Sequence, residues 1–271
     1  MAADKKIAIQ LQAEQPSEAE SALQSLLSCD LVAAEQAGTT AYQFLLEWHD
    51  GALSLLATAD KSPGRLQIDF TAQKLSGRLR DGLHKQGLGK AVGLKKNPSP
   101  TVLDATAGLG ADAFLLASAG CKVSMLERSP VVYALLDDAL LRARELLHSS
   151  NSSQVDAIAN MQLTFADFLT TEIAPASVDV VYLDPMFPDR KSARSGKGMF
   201  LLQELLNEDC TQRGSAAAVR DEESSLLAKA RLVARKRVVV KRAKHSPRLS
   251  DQEPDICFRG SSSRFDVYLC L

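Results

Sequence analysis

Cysteine is scarce and scattered: the five thiols, Cys29, Cys121, Cys210, Cys257 and Cys270, are odd in number and never form a CxxC pair. That spacing supports neither a disulfide framework nor a zinc site, and it fits buried thiols in a reducing cytoplasm. The four histidines, His49, His84, His148 and His245, show no ligand spacing, so no metal is expected. Apolar stretches such as Val178–Leu183 and Val238–Val240 fall far short of the roughly 20 residues that span a bilayer. The opening residues set Asp4 before Lys5 and Lys6 and soon lose their apolar character, which argues against a signal peptide. An excess of either charge is also missing. Thirty-two basic residues against 33 acidic ones leave a net charge of −1, so any contact with nucleic acid must come from a local patch. No internal repeat is evident.

What is present is an ordinary globular composition, 45% hydrophobic and 24% charged over 271 residues, enough for one full α/β domain and a smaller companion. Tyr42–Trp48 and Ala52–Thr58 flank an Asp50-Gly51 turn and read as a β-hairpin. Leu66–Phe70 reads as a third strand, so residues 1–72 are expected to form a small β-containing domain. Gln73–Leu94, with Lys74, Arg78, Arg80, Lys85 and Lys90 among spaced leucines, reads as a basic helical connector (73–97). Asn97-Pro98-Ser99-Pro100 marks the boundary of a last domain (98–271). There, Thr101–Asp104, Lys122–Glu127, Met161–Phe165 and Val178–Leu183 are short buried-strand runs. They alternate with the helix-length stretches Asp112–Ala119 and Pro130–Leu147. A helix over Ser225–Ala234 leads to a fifth strand, Arg237–Lys241, and Asp255–Phe258 with Phe265–Cys270 form a final hairpin. The expected fold is α/β, a seven-stranded, mostly parallel, Rossmann-like sheet with a C-terminal antiparallel hairpin.

The strongest local signal is Asp104-Ala-Thr-Ala-Gly108-Leu-Gly110-Ala111-Asp112, a strand end, a glycine turn and a helix start. Glycine there permits a tight turn and close approach of a ligand. The next strand ends in Glu127, where a carboxylate can accept both hydroxyl protons of a ribose. Taken alone, a GxG can be only a turn, and Ala113 could complete a dinucleotide fingerprint. Asp104 disfavours a pyrophosphate, which it would repel, and suits a cofactor carrying an amino group and a sulfonium. S-adenosylmethionine is such a molecule. The glycine turn, Asp104 and Glu127 resemble the first two motifs of the class I methyltransferases, with Asp112 near the methionine end.

After the fourth run comes Asp184-Pro185-Met186-Phe187-Pro188, a stiff loop at a strand's carboxyl end. It resembles the Asp/Asn-Pro-Pro-Tyr/Phe motif of methyltransferases acting on exocyclic amines, with Met186 in place of the second proline. The lone pair of such an amine is delocalised into its ring. Asp184 and the Pro185 carbonyl can accept its N–H bonds and aim that lone pair, while Phe187 can stack on the base. A structural proline turn is the plainer alternative.

The chain further resembles the RsmJ family of bacterial methyltransferases, which modify the N2 amine of a guanosine in small-subunit (16S) ribosomal RNA. The resemblance rests on Asp104–Gly110, Met125–Arg128, Leu135–Asp138, Val181–Pro188, Lys191–Ala193, Lys236–Arg242 and Arg264–Tyr268, with Ile68–Phe70 and Lys90–Lys95 earlier. It implies S-adenosylmethionine contacts at Ala111, Asp112, Glu127, Arg128, Asp167, Phe168 and Asp184, beside Asp104, Gly108 and Gly110. It implies ribosomal RNA or a ribosomal subunit as partner, and a cytoplasmic enzyme in ribosome biogenesis. Ala111 stands where the family has an arginine, and Asp167-Phe168 where it has two serines. The first departure leaves the partner of the cofactor carboxylate unassigned.

Arg190, Lys191, Arg194 and Lys197 follow the Asp-Pro-Met-Phe segment. A second basic cluster, including Lys236, Arg237, Lys241, Arg242, Lys244 and Arg248, brackets the fifth strand. Convergence of these residues on one rim would supply phosphate contacts, and solvated faces are the plainer reading. Methylation of another amine, a non-catalytic RNA-binding protein and an NAD-dependent oxidoreductase are the competing functions.

Overall fold

Buried parallel strands appear in sequence as short unbroken apolar runs, and these runs fold where that pattern requires. The computed structural model describes residues 7–37, 42–58, 64–71, 82–147, 153–185, 201–206 and 216–270. Its first four strands are β1 (Ile7–Gln10), β2 (Asp30–Val32), β3 (Phe44–His49) and β4 (Ala52–Ala57). The remaining seven are β5 (Thr101–Asp104), β6 (Lys122–Glu127), β7 (Met161–Phe165), β8 (Val178–Leu183), β9 (Ala234–Ala243), β10 (Ile256–Arg259) and β11 (Ser263–Leu269).

Two compact units result. The first joins the described residues up to Ile68 to Pro130–Ala139 and the helical turn 201–206. Its sheet has the order β2-β1-β3-β4. The expected hairpin is β3–β4, turned through Asp50 and Gly51, both at positive φ. Strands β1 and β2, not expected from the sequence, lie parallel to each other, with β1 also parallel to β3. Between them runs the helix Glu18–Leu27, started by a capping box in which the Ser17 side chain accepts from Glu20 N–H and Glu20 accepts from Ser17 N–H. Leu66–Phe70 is not a strand: Leu66 makes one isolated bridge to Leu55. Beyond it, the Asp69 carboxylate accepts the Thr71 N–H and hydroxyl at 2.8 and 2.6 Å and turns the chain instead.

The second unit holds the larger sheet, in the order β10-β11-β9-β8-β5-β6-β7. Strands β5 to β9 are parallel, and β9, β11 and β10 pair antiparallel. This is the expected seven-stranded sheet with its closing hairpin. The helix Ala111–Ser118 follows β5. The helix Pro130–Leu147 begins on a proline, whose missing N–H costs nothing in a first turn. The helix before β9 spans Ala216–Val233, well ahead of the expected Ser225 start. Its first turns are rich in Ala, Arg and Glu, which favour helix without an apolar stripe. Of the basic connector, Leu83–Lys85 form a 3₁₀ turn and Gly87–Val92 a short helix, while Lys74, Arg78 and Arg80 lie outside the described residues.

Candidate active site

Parallel strands share one carboxyl edge. In the second unit the chain leaves β5 for β6 and β7 and then returns to β8 on the other flank of β5. Open α/β sheets bind ligands where the winding reverses in this way. Asp104 ends β5, Glu127 ends β6 and Asp184 follows β8 at that edge. Lys241 in β9 lies one residue beyond the Leu183–Val240 pair.

The turn after β5 is tied to both flanking strands, through Ala105 N–H to the Tyr182 carbonyl and Ala107 N–H to the Leu126 carbonyl, each at 3.0 Å. Gly108 and Gly110 have φ of +54° and +71°, a region in which side-chain-bearing residues are strained. A Cβ on Gly108 would meet nothing nearer than the Thr106 carbonyl at 3.9 Å, so the turn leaves an open face there. Gly110 starts the helix Ala111–Ser118 without a capping side chain.

Glu127 is pinned by backbone donors: Gly108 N–H reaches Oε2 and Ser129 N–H reaches Oε1, both at 2.8 Å. Each oxygen keeps a further lone pair for a hydroxyl. Burial raises its carboxyl above the usual range, and these N–H groups oppose the rise. Asp104 is 2% exposed. Burial, reinforced by the facing carboxylates of Asp112, Asp184 and Glu127, pushes it up to about 8 against a single opposing hydrogen bond from Thr106 N–H.

The opposite wall is a chain of polar contacts. Tyr182 Oη donates to Asp112 Oδ2 at 2.7 Å, and Lys241 Nζ donates to that same oxygen at 2.7 Å and to Asp184 Oδ2 at 2.8 Å. Thr106 Oγ1 accepts the Asp184 N–H at 2.7 Å. Burial raises the Asp184 carboxyl and the Lys241 ammonium pulls it back. Burial disfavours the Lys241 charge, but Asp184 and Asp112 more than offset that, so the lysine stays protonated. The Asp184 side chain is 37% exposed and opens on the crevice despite its ion pair.

Beyond β7, Asp167 accepts the Leu169 N–H at 2.7 Å. Arg128 lies between Asp167, at 3.6 Å, and Glu222, at 2.6 Å. The Phe168 ring is 2% exposed, with Lys229 Nζ 5.3 Å from its centroid, so it is unavailable to a ligand. Lys229 also donates to the Leu169 and Thr171 carbonyls at 2.9 and 2.6 Å, tying that loop to the helix Ala216–Val233.

Two residues expected on an RNA-facing rim are placed otherwise. Lys241 is the ammonium just described, and Arg242 is 9% exposed and paired with Glu223 at 3.1 Å. In both cases a neighbouring carboxylate repays the burial of the charge better than solvent would. The basic cluster around β9 does not converge: Lys236 pairs with Asp179 at the start of β8, the far edge of the sheet, and Arg237 donates to the Ala91 carbonyl. Pro185 is partly buried, while Phe187, Arg190, Lys191, Arg194 and Lys197 lie outside the described residues. Thr106, Tyr182 and Lys229 carry no local sequence signal, because their roles depend on which strands become neighbours. Among the described residues no group of three or more His, Cys, Asp or Glu could hold a metal ion, and no helix is long and apolar enough to cross a membrane.

A sheet wound in this order and closed by an antiparallel hairpin is the class I methyltransferase architecture. A solved SAM-dependent methyltransferase of Neisseria gonorrhoeae is similar at 31% identity and a TM-score of 0.66, covering 97% of this chain and 96% of its own. Residues 30–270 match the family model described as "Putative SAM-dependent methyltransferase". A protein of Thioalkalivibrio sulfidiphilus named ribosomal RNA small subunit methyltransferase J is 40% identical over 271 residues, 98% of either chain. Its namesake in Colwellia psychrerythraea is 41% identical over 84% of this chain and 78% of its own. The chain therefore belongs to the SAM-dependent methyltransferase family, in the branch of ribosomal RNA small subunit methyltransferase J.

Proposed function

We propose that the protein methylates the exocyclic N2 amine of a guanosine in small-subunit ribosomal RNA. The names of its relatives support the RNA class, and the motif around Asp184 supports an exocyclic amine. The observation that carries the chemistry is the Asp184 carboxylate, accessible at the carboxyl edge of β8 and within the same crevice as Asp104 and Glu127.

The residues present suit S-adenosylmethionine. Four carboxyl groups, Asp104, Asp112, Glu127 and Asp184, line an edge where Lys241 bridges two of them, which favours a ligand bearing positive charge. The missing Cβ of Gly108 leaves room for close approach. When bound, S-adenosylmethionine supplies a methyl group activated by its positively charged sulfur. Gly108, Gly110, Ala111 and Asp112 would hold its methionine end with Asp104. Glu127 would take the ribose, and Arg128 and Asp167, with the backbone around Phe168, the base. Asp184 and the Pro185 carbonyl accept the N–H bonds of the guanine amine and turn its lone pair toward the methyl carbon. The methylated amine is acidic enough that its proton passes to Asp184 or to water without a strong base. Phe187 stacks on the base, and Arg190, Lys191, Arg194 and Lys197 take phosphates. An enzyme of this kind works in the cytoplasm, where ribosomal subunits are assembled.

The test is mass spectrometry of small-subunit RNA from a strain lacking the gene, complemented with wild type or D184A. We expect one N2-methylguanosine to vanish, to return with wild type and to stay absent with D184A. Unchanged methylguanosine in the deletion strain would refute the assignment.

A further inference from the structure

Resting on that reading, we propose that Lys241 is a positioning residue of the reaction: its ammonium orients and charge-balances the Asp184 carboxylate that receives the amine. Asp184 is held at two points. Thr106 Oγ1 accepts its N–H at 2.7 Å, and Lys241 Nζ donates to Oδ2 at 2.8 Å. Oδ1 accepts none of these bonds and remains for the substrate. The lysine is itself anchored, since Asp112 Oδ2 accepts both its ammonium at 2.7 Å and the buried Tyr182 hydroxyl at 2.7 Å. The series Tyr182, Asp112, Lys241, Asp184 thus links the interior of the sheet to the group facing the crevice.

The charges explain why the link is a cation. Asp184 is faced by Asp104 and Thr106 from β5 and its turn, by Asp112 from the next helix, by Tyr182 within β8 and by Lys241 and Arg242 from β9. Two carboxylates within 2.8 Å of one nitrogen would share a proton if that nitrogen were uncharged. A protonated Asp184 can present its hydroxyl instead of an acceptor oxygen, and the amine would lose its alignment. With two carboxylates claiming its ammonium, Lys241 is poorly placed to serve as an RNA phosphate contact.

The test compares K241M, K241Q and K241R with wild type and D184A, measuring kcat from pH 6 to 9, cofactor affinity by calorimetry and RNA affinity. K241M should lower kcat about 100-fold at neutral pH, with the deficit narrowing as pH rises and Asp184 ionises unaided. RNA affinity should be unchanged, and K241R should restore most of the rate and the wild-type profile. K241Q carries the same expectation should K241M fail to fold. A K241M or K241Q enzyme with the wild-type rate and profile overturns the proposal. So does one with normal kcat and weakened RNA binding, which would mark a phosphate contact. Full activity in D184A would instead overturn the role of Asp184 on which this inference rests, whereas an inactive D184A beside an unperturbed K241M removes only Lys241.

Discussion

Replacing Asp104 by asparagine should stabilise the protein, and only above the acid range. The carboxyl is 2% exposed and displaced from an ordinary 3.8 to about 8 by burial and by its acidic neighbours. Between those limits the folded chain retains a proton that the unfolded chain has released, so stability falls as pH rises through that window and the penalty is complete above it. Each pH unit is worth about 1.4 kcal/mol, which makes the full penalty on the order of 5 kcal/mol. Asparagine fills the same volume and keeps an oxygen for the Thr106 N–H, but carries no charge. Urea unfolding of wild type and D104N should therefore give a difference of only about 1 kcal/mol near pH 4.5 and a gain of several kcal/mol for the variant at pH 9. The same substitution should weaken S-adenosylmethionine binding, since a costly buried acid is retained where function uses it. A gain of equal size at every pH, or none at pH 9, would refute the reasoning.

Further expectations follow from single contacts. Arg264 is almost fully buried, donating to both oxygens of Asp266 and to the carbonyls of Ala243, Lys244, Ser246 and Pro247. R264M should cost about 3–5 kcal/mol in chemical denaturation by stranding a buried carboxylate. R264M/D266L should recover much of it, and a double variant as unstable as the single one would contradict this. G108A should lose about 1–2 kcal/mol of stability to its left-handed backbone, with a larger proportional loss of cofactor affinity by calorimetry because the new methyl enters the open face. Equal losses would make the glycine a turn residue only. K229M, releasing the carbonyls of Leu169 and Thr171, should weaken cofactor binding about tenfold, or 1.4 kcal/mol, with kcat near normal. A kcat defect at unchanged affinity would be evidence against this.

The larger sheet was legible because its central strands, Thr101–Asp104 and Val178–Leu183, are buried apolar runs, and Lys122–Glu127 and the more exposed edge run Met161–Phe165 also coincide with the strands observed. Strands β1 and β2 escaped because they are three or four residues long and half-buried, too short for a periodic signal. The Ser17/Glu20 capping box was a usable sign of the helix between them. At the site, the strand-end carboxylates could be found from the runs they terminate, and parallel winding brings them to one edge. Ion pairing could not be read in the same way. Alternation along Val238–Arg242 does not reveal that Lys241 meets Asp112 and Asp184, or that Arg242 turns to Glu223, because those partners come from distant segments. The burial of Phe168, which the resemblance implies as a cofactor contact, likewise involves Lys229 from a distant segment.

The smaller unit is sewn from separated stretches of chain: the Leu53 N–H of its sheet donates to Asp138 in the helix Pro130–Leu147, whose first ten residues belong to that unit. As the polypeptide emerges from the ribosome, its opening strands must wait for a partner synthesised 85 residues after Leu53. The N-terminal segment is thus committed to its final packing only after the glycine turn and β6 have been made. A fragment ending near residue 97 would lack its buttress, so the whole chain, and not a trimmed half, is the unit to express.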